Sequence, residues 1–289
     1  MRSAAWLAAM FALLSLPASA ATVRDDVGRE VEVVGPGKRI VTLSPYLTEI
    51  AFAVGAGGDV VAASDFSDHP RAARDVPVVS TAAGMNWNLL AWYKPHLVIA
   101  WKETVKEGDI ARLEKAGARV FVVETLRMAD VPRAMRAIAA ITGRSGEAQA
   151  RGFEDAIDGF RRQAAGKRVV DTFVEFSHQP LTTVAGPHFI NDALEACGAR
   201  NVFIDLPGTL PEVPMATIAK RDPEALFSAG SAADAGGFAR AWKSEGALAA
   251  VREGKFVFVD ADLIQRPTPR FPIAVGQLCA GVEQVRAKR

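Results

Sequence analysis

The sequence predicts an α/β protein with two lobes, a single long connecting helix and a ligand cleft between the lobes. Apolar strand-like runs alternate with helix-like runs in both halves of the chain, which is typical of parallel sheets covered by helices. In the middle, residues 145–166 form a helix directly after another helix, and can connect a lobe at 21–144 to a lobe at 167–289. A single doubly wound sheet is the alternative fold. The long helix without an adjacent strand argues against it.

The first 20 residues have the features of a secretory signal peptide. Arg2 supplies an early positive charge, residues 4–16 are apolar, and small residues precede a cleavage site after Ala20. An uncleaved membrane anchor is the alternative, although the apolar run is short for a span of about 20 residues. We therefore expect an exported protein that begins at Ala21.

The first lobe contains four strand-like runs separated by helix signals. Ser44 and Pro45 form a typical helix N-cap and first helical position, and Gly55 and Gly117 lie where helices should end. The predicted strands are residues 39–44, 59–64, 96–101 and 119–124, and the predicted helices between them are 45–55 and 107–117.

An apolar stripe identifies the long connecting helix at 145–166, which follows a helix at about 129–142. The members of the stripe recur at i, i+3, i+4, i+7 and i+11, so they share one helix face. They are Phe153, Ala156, Ile157, Phe160 and Ala164.

The alternation of strands and helices resumes in the second lobe. The predicted strands are residues 167–176, 181–186, 201–204, 225–229 and 255–260. The predicted helices are 188–198, 214–221, 236–243 and a last helix from about residue 269 onward.

Charge and motifs exclude several function classes. The chain has 34 basic and 33 acidic residues without a block of one sign, so we expect no nucleic-acid partner. Nucleotide-binding, zinc-protease and serine-hydrolase signatures are absent. A secreted hydrolase remains an alternative, but no nucleophile–base pair is evident. A dispersed metal site that uses His69, His178 or His188 with carboxylates is a further alternative to ordinary surface histidines.

Three tryptophans fall within "GMNWNLLAWYKPHLVIAW" and have different expected roles. Residues 86–94 predict a helix, on which Trp87 and Trp92 are packing or surface residues. Trp101 ends a predicted strand, and ligands of open α/β sheets bind outside the carboxyl ends of the strands. Trp101 is therefore a candidate ligand contact, and Phe66 follows the preceding strand in the same way.

Polar candidates lie after the last predicted strand, where Asp262 and Arg266 are four residues apart. They could orient polar groups of a ligand, and a local surface ion pair is the alternative.

Cys197 and Cys279 are the two cysteines of the chain. An even number in an exported protein indicates a disulfide, with two buried thiols as the alternative.

Six segments resemble the family of periplasmic cobalamin-binding proteins of ABC importers. The resemblance extends over about residues 38–284, and the N-terminal stretch resembles the wider class that includes iron–siderophore and haem receptors. The segments are "KRIVTLSPYLTEIAFAVGAG", "SDFSDHP", "VSTAAGMN", "KPHLVIAW", "LEACGARNVF" and "PRFPIAVGQLCAGV".

The resemblance implies two Rossmann-like lobes joined by a rigid helix, and a Cys197–Cys279 bond. It implies a periplasmic protein that carries a corrinoid-sized metal chelate to an ABC permease. We expect a monomer without a resident cofactor or a bound metal ion of its own. Cobalamin or another corrinoid such as cobinamide is the expected ligand. An iron–siderophore or haem is the alternative, and a direct binder of metal ions is a third class.

The resemblance also assigns site positions. Matching contacts are Phe66 and Trp101 in the first lobe and Asp262 and Arg266 in the second, whereas two aromatic contacts are replaced, by Ala82 and Leu210. In the family a glutamate of each lobe pairs with arginines of the permease. The matching positions here are Asn88 and Ala216, which are uncharged, and Glu212 is a nearby substitute in the second lobe.

Overall fold

The computed structural model describes residues 21–231 and 233–288, so the predicted signal peptide lies outside the described residues. The first lobe contains a two-stranded hairpin and a six-stranded sheet. Its strands are β1 (Thr22–Arg24), β2 (Glu30–Glu32), β3 (Ile40–Thr42), β4 (Val60–Ser64), β5 (Val78–Thr81), β6 (Gly84–Met85), β7 (Leu97–Trp101) and β8 (Arg119–Val123). Its helices are α1 (Pro45–Ala53), α2 (Trp87–Tyr93), α3 (Glu107–Lys115) and α4 (Asp130–Ile141).

The connecting helix α5 (Glu147–Ala164) leads to the second lobe. The strands there are β9 (Val170–Val174), β10 (Ser177–His178), β11 (Leu181–Thr182), β12 (Ala199–Asn201), β13 (Ala225–Gly230) and β14 (Phe256–Asp260). The helices are α6 (Phe189–Ala196), α7 (Met215–Arg221), α8 (Ala235–Ala241), α9 (Ala249–Arg252), α10 (Ala261–Ile264) and α11 (Phe271–Ala287).

Two separate main sheets are formed, one in each lobe. The first has the strand order β6-β5-β4-β3-β7-β8, parallel except for β6, and the second has the parallel order β12-β9-β13-β14. Helices cover both faces, and successive residues of one strand enter different cores, as Ile40 and Val41 do. The two-lobed α/β prediction is therefore confirmed, and a single doubly wound sheet is wrong.

Helix α5 packs on α4 of the first lobe and on α6 and α11 of the second. Phe153 and Ile157 of the predicted stripe are buried in a core that also contains Ile40 of the first lobe and Phe271 of the second. Because one continuous apolar core includes both lobes and α5, the connection is a packed element and not a flexible linker.

Two predicted strands of the second lobe differ from the structure. Of the run 181–186 only Leu181–Thr182 forms a strand, and of the run 201–204 only Asn201, the last residue of β12, belongs to one. The Asn201 side-chain amide donates to the carbonyl of Val184 at 2.6 Å, and its oxygen accepts the Phe203 N–H at 2.9 Å. This side chain turns the backbone at Asn201, so the following apolar residues pack without extending the strand.

Predicted helix boundaries of the first lobe agree with the structure. Helix α1 begins at Pro45 after Ser44, although the Ser44 side chain makes no capping bond. Gly55 and Gly117 follow α1 and α3 with φ of +82° and +90°, a conformation that glycine adopts at little cost. Among the described residues, no helix is both long and apolar enough to cross a bilayer.

Candidate ligand-binding site

The cleft between the lobes lies at the carboxyl ends of β3, β4 and β7, the edge of an open α/β sheet where ligands bind. An inter-lobe cavity of about 280 Å³ and a first-lobe cavity of about 720 Å³ share Ser44, Pro45 and Trp101. The two cavities are therefore adjoining parts of one cleft. The second-lobe residues that line the inter-lobe cavity include Phe176, His188, Phe189, Leu210 and Arg266.

Trp101 lies where the two cavities meet. It ends β7, is half-buried, and packs edge-to-face on the Tyr46 ring with the centroids 5.9 Å apart. Its carbonyl accepts the backbone N–H groups of Thr104 and Val105 at 3.1 and 3.0 Å, so the chain turns immediately after the strand. This fixed aromatic side chain can provide a flat apolar wall. Its contact with a ligand stays a prediction.

Phe66 borders the first-lobe cavity with 71% of its surface exposed. Its φ of +58° lies in the left-handed region, which is uncommon for a bulky residue. The Phe66 carbonyl accepts the N–H of Asp68 at 3.0 Å, which helps to hold this tight turn. A strained backbone that presents an exposed aromatic side chain to a cavity favours a binding role.

Ala82 and Leu210 lie on different parts of the cleft. Ala82 is exposed in the first-lobe cavity, and Leu210 borders the inter-lobe cavity with 44% of its surface exposed. Neither side chain is aromatic, so the aromatic surface of the cleft comes from other residues, among them Trp101, Phe66, Phe176 and Phe189. A ligand therefore meets a wider and more aliphatic cleft than aromatic residues at 82 and 210 would leave.

Arg266 reaches from the second lobe to the first. Its Nη1 donates to Asp68 Oδ1 at 2.9 Å and to the Phe66 carbonyl at 3.4 Å. Its Nη2 is 3.4 Å from Asp262, whose side chain is 68% exposed and lines neither cavity. The structure thus places Arg266 in the cleft, with Asp262 at its margin and Asp68, which sequence reasoning missed, as the nearer carboxylate.

The electrostatics of Asp68 depend on this contact. Partial burial by itself would raise the pKa of Asp68, but the hydrogen bond and charge of Arg266 outweigh burial and hold the pKa below its usual value. Asp68 is therefore ionised at neutral pH, and Arg266 is already paired before a ligand arrives. A ligand group that binds Arg266 must share it with Asp68 or displace that carboxylate.

Two further ion pairs join the lobes, and sequence reasoning missed both. Arg270 donates through Nε and Nη2 to the two carboxylate oxygens of Glu49, each at 2.8 Å, and the Glu49 side chain is only 4% exposed. Arg127 Nε and the Met128 N–H donate to Asp192 Oδ2 at 2.9 and 2.8 Å. These bidentate and shared contacts hold the cleft walls at a defined separation.

His188 is the N-cap of α6 and borders the inter-lobe cavity. Its Nδ1 accepts the Ile190 N–H at 3.1 Å, which places the ring proton of the neutral form on Nε2. Burial, opposed by the charge of Asp192, lowers the pKa of His188 to about 4. His188 is therefore neutral at pH 7 and is a hydrogen-bond donor through Nε2.

The other histidines do not assemble into a metal site in the part of the chain that the structure describes. There, no three or more His, Cys, Asp or Glu side chains converge in a way that could hold a metal ion. His178 Nδ1 lies 3.2 Å from Glu175, and His96 Nδ1 accepts the Arg39 N–H at 3.1 Å.

The structure contains the disulfide that the sequence indicates. Cys197 follows α6 and Cys279 lies in α11, and the two sulfur atoms are 1.99 Å apart. The bond links two helices of the second lobe, distant in sequence by 82 residues, on the side that packs against α5. The alternative of two buried thiols is wrong.

The predicted docking positions are exposed, one in each lobe. Asn88 lies in the first turn of α2, and Ala216 lies in the first turn of α7. Glu212 is also exposed and forms an isolated antiparallel bridge with Thr182, just before α7. Their surface positions permit contact with a partner, and that role stays a prediction.

Vitamin B12-binding proteins are among the known proteins of similar sequence. The chain is 29% identical over 256 residues to one from Vibrio parahaemolyticus, with 88% of this chain and 92% of the relative covered. It is 30% identical over 246 residues to one from Vibrio cholerae, with 84% and 88% covered.

Solved structures show the same fold. The crystal structure of the periplasmic vitamin B12-binding protein of Vibrio cholerae matches with a TM-score of 0.77 and 29% identity, over 87% of this chain and 98% of that chain. A periplasmic haem-binding protein in complex with two haems matches with a TM-score of 0.76 and 22% identity, over 86% and 98%, which shows the fold alone. The family model described as periplasmic binding protein matches residues 40–263. This chain therefore belongs to the periplasmic binding protein family.

Proposed function

We propose that this protein is the solute-binding component of an ABC importer, and that it binds cobalamin (vitamin B12) or a related corrinoid and delivers it to the permease. The observation that carries the proposal is the meeting of Phe66 and Trp101 of the first lobe with Arg266 of the second at one cleft. The similarity to vitamin B12-binding proteins over more than four fifths of the chain supports the same ligand class.

The cleft suits a flat ligand with polar substituents. Apolar faces of a corrin ring would cover Trp101 and Leu210, and each Å² of apolar surface removed from water contributes about 25 cal/mol. Amide side chains of the ligand would meet the Arg266 guanidinium and the Nε2–H of His188 at the second-lobe wall. A few directional polar groups on an apolar surface are typical of small-molecule sites.

Haem is the second candidate, because a haem-binding protein shares the fold. A haem iron in a protein commonly takes an axial His or Tyr ligand. In the inter-lobe cavity, His188 Nδ1 accepts a backbone N–H and directs the ring proton to Nε2, which blocks ligation without rearrangement. Burial raises the pKa of Tyr46 well above its usual range, which disfavours a phenolate. The geometry therefore favours a corrinoid, whose cobalt can carry axial ligands of its own.

Export to the periplasm is part of the proposal. The carbonyl of Ala21 accepts the Val33 N–H at 2.8 Å, so the first residue after the predicted cleavage site belongs to the folded hairpin. Cleavage after Ala20 would leave this contact intact. The Cys197–Cys279 bond also suits an oxidising compartment. The family consists of solute-binding proteins, and we propose no catalytic step.

A ligand titration tests the proposal. Purified protein is titrated separately with cyanocobalamin, dicyanocobinamide, haem and a ferric siderophore, and both tryptophan fluorescence and visible absorbance are followed. We expect saturable one-to-one binding of at least one corrinoid, tighter than that of haem. Saturable binding of haem or the siderophore without any corrinoid binding contradicts the proposal.

A further inference from the structure

A repeated unit presents one helix of each lobe to solvent. Helices α2 and α7 both contain seven residues, and each is followed by a residue of positive φ, a proline and then a parallel strand. The residues of positive φ are Lys94 at +45° and Asp222 at +40°. Counted from the first residue of each helix, Asn88 corresponds to Ala216 and Trp92 to Lys220. The lobes therefore expose equivalent helix faces with different chemistry.

Trp92 is the most exposed large hydrophobic side chain among the residues that the structure describes. It is 72% exposed, and its ring contacts Tyr93 edge-to-face with centroids 4.8 Å apart. It lies one turn after Asn88 on α2 and lines neither cavity of the ligand cleft. Tryptophan is enriched among the residues that dominate protein–protein binding energy, so this exposure favours a docking role over a packing role.

A basic groove lies between α2 and α3, and Ala91, the residue before Trp92, is among the residues that line it. It encloses about 580 Å³ and has four basic lining residues without an aspartate or glutamate. We call it the α2–α3 groove. The basic residues are Arg39, Lys94, His96 and Arg112.

The cations of the α2–α3 groove are not neutralised within the described residues. Arg112 lies over the Trp87 ring at 4.0 Å, and Arg39 donates to the carbonyls of Tyr93 and Lys94 at 2.9 Å. None of Arg39, Lys94 and Arg112 forms an ion pair in residues 21–231 or 233–288.

The pKa of His96 also reflects this surplus of positive charge. Burial, together with the charges of Arg39, Lys38 and Arg119, holds the pKa of His96 below its usual value. His96 is therefore mostly neutral at pH 7, and the guanidinium and ammonium groups supply the positive charge of the groove. A partner that complements this surface must present carboxylates.

We propose that the exposed face of α2 with the α2–α3 groove docks an acidic protein surface, in which carboxylates approach Lys94 and Arg112 while an apolar side chain packs on Trp92. The partner to which we commit is the periplasmic surface of the importer's permease, so the proposal rests on the proposed function. The resemblance implies glutamates on the binding protein and arginines on the permease. In this chain the first-lobe contact has the opposite polarity.

The test measures permease binding and ligand binding separately. The permease complex of the same organism is placed in lipid nanodiscs, and association and dissociation rates are measured at several salt concentrations. The variants are Trp92→Ala and Lys94→Asp, and Asp222 at the equivalent position indicates that this left-handed site accommodates aspartate. The matched control is Arg162→Glu, a charge reversal at an exposed residue of α5.

We expect Lys94→Asp to lower the association rate about tenfold at low salt, with a smaller effect as salt screens the charges. Trp92→Ala should raise the dissociation rate about tenfold, because a central aromatic contact is lost. Arg162→Glu should change neither rate, and all three variants should keep the wild-type affinity for cyanocobalamin.

The proposal is overturned if both α2 variants bind the permease with the same rates as the wild-type protein. It is also overturned if Lys94→Asp associates with the permease faster than wild type. Loss of cyanocobalamin affinity in both α2 variants would assign this face to the ligand site and also overturns it. If wild-type protein binds the permease but no corrinoid, the proposed ligand is wrong. The docking proposal is still decided by the rates of the variants.

Discussion

At the end of β7, Trp101 packs on Tyr46 and borders both cavities of the cleft. We predict that Trp101→Ala weakens corrinoid binding by about 2–4 kcal/mol, because a buried aromatic anchor is removed. Trp101→Phe should lose less, since an aromatic ring still packs on Tyr46. Isothermal titration calorimetry with cyanocobalamin gives the difference. Trp92→Ala is the control and should bind as tightly as wild type. Equal affinity of Trp101→Ala and wild type would exclude this role.

His188, at the inter-lobe cavity, makes the stability of the fold depend on pH. Its pKa of about 4 in the folded state lies below the value of 6.5 for an unperturbed histidine, so protonation favours the unfolded chain. The folded state is fully favoured above pH 6.5 and loses stability as the pH falls towards 4, by about 3 kcal/mol at most. Protonation of Nδ1 would also break the cap of α6, because that nitrogen accepts the Ile190 N–H.

We therefore predict that His188→Asn reduces the acid sensitivity of the fold. Asparagine is a good N-cap and does not titrate in this range. Free energies of unfolding from urea denaturation at about pH 7 and about pH 4.5 should differ less in the variant than in wild type. An identical loss of stability on acidification in both proteins would assign the effect to other groups.

At the scale of secondary-structure elements, the Cys197–Cys279 bond fixes α6 to α11. The bond closes a loop with a sequence separation of 82 residues, and the chain-entropy model credits such a loop with about 4–5 kcal/mol as an upper figure. We predict that Cys197→Ala with Cys279→Ala lowers the urea midpoint clearly. Wild-type protein under reducing conditions is the control and should show a similar decrease. An unchanged midpoint in both would show that packing of α11 suffices.

At the scale of the whole molecule, the pair of Arg270 and Glu49 joins the lobes. We predict that Arg270→Ala destabilises the protein by about 3–5 kcal/mol, because it leaves the Glu49 carboxylate buried without its partner. The double variant Glu49→Leu with Arg270→Met should recover much of this loss, since no unpaired charge remains. Chemical denaturation of the three proteins measures both steps. A double variant as unstable as Arg270→Ala would contradict the explanation by an unpaired charge.

Much of the fold was predictable because its signals are local. The strands that lead to Ser64 and Trp101 are continuous apolar runs, as strands buried on both faces require. Helix α5 was predicted within about two residues at each end from the spacing of its apolar stripe, of which Phe153 and Ile157 are buried. The end of β12 was not predictable in this way, because Asn201 ends it through side-chain contacts with residues distant in sequence.

By itself, the sequence determined the two-lobed α/β class and the connecting helix, and it placed the candidate contacts Trp101 at a strand end and Phe66 just after one, because each depends on spacing within a few residues. Only the tertiary structure decided which charges meet across the cleft. Asp68 and Arg266 are 198 residues apart and Glu49 and Arg270 are 221 residues apart, so their pairing depends on how the lobes pack. No local pattern encodes such distances, since the contact exists only when both sheets and α5 share one core.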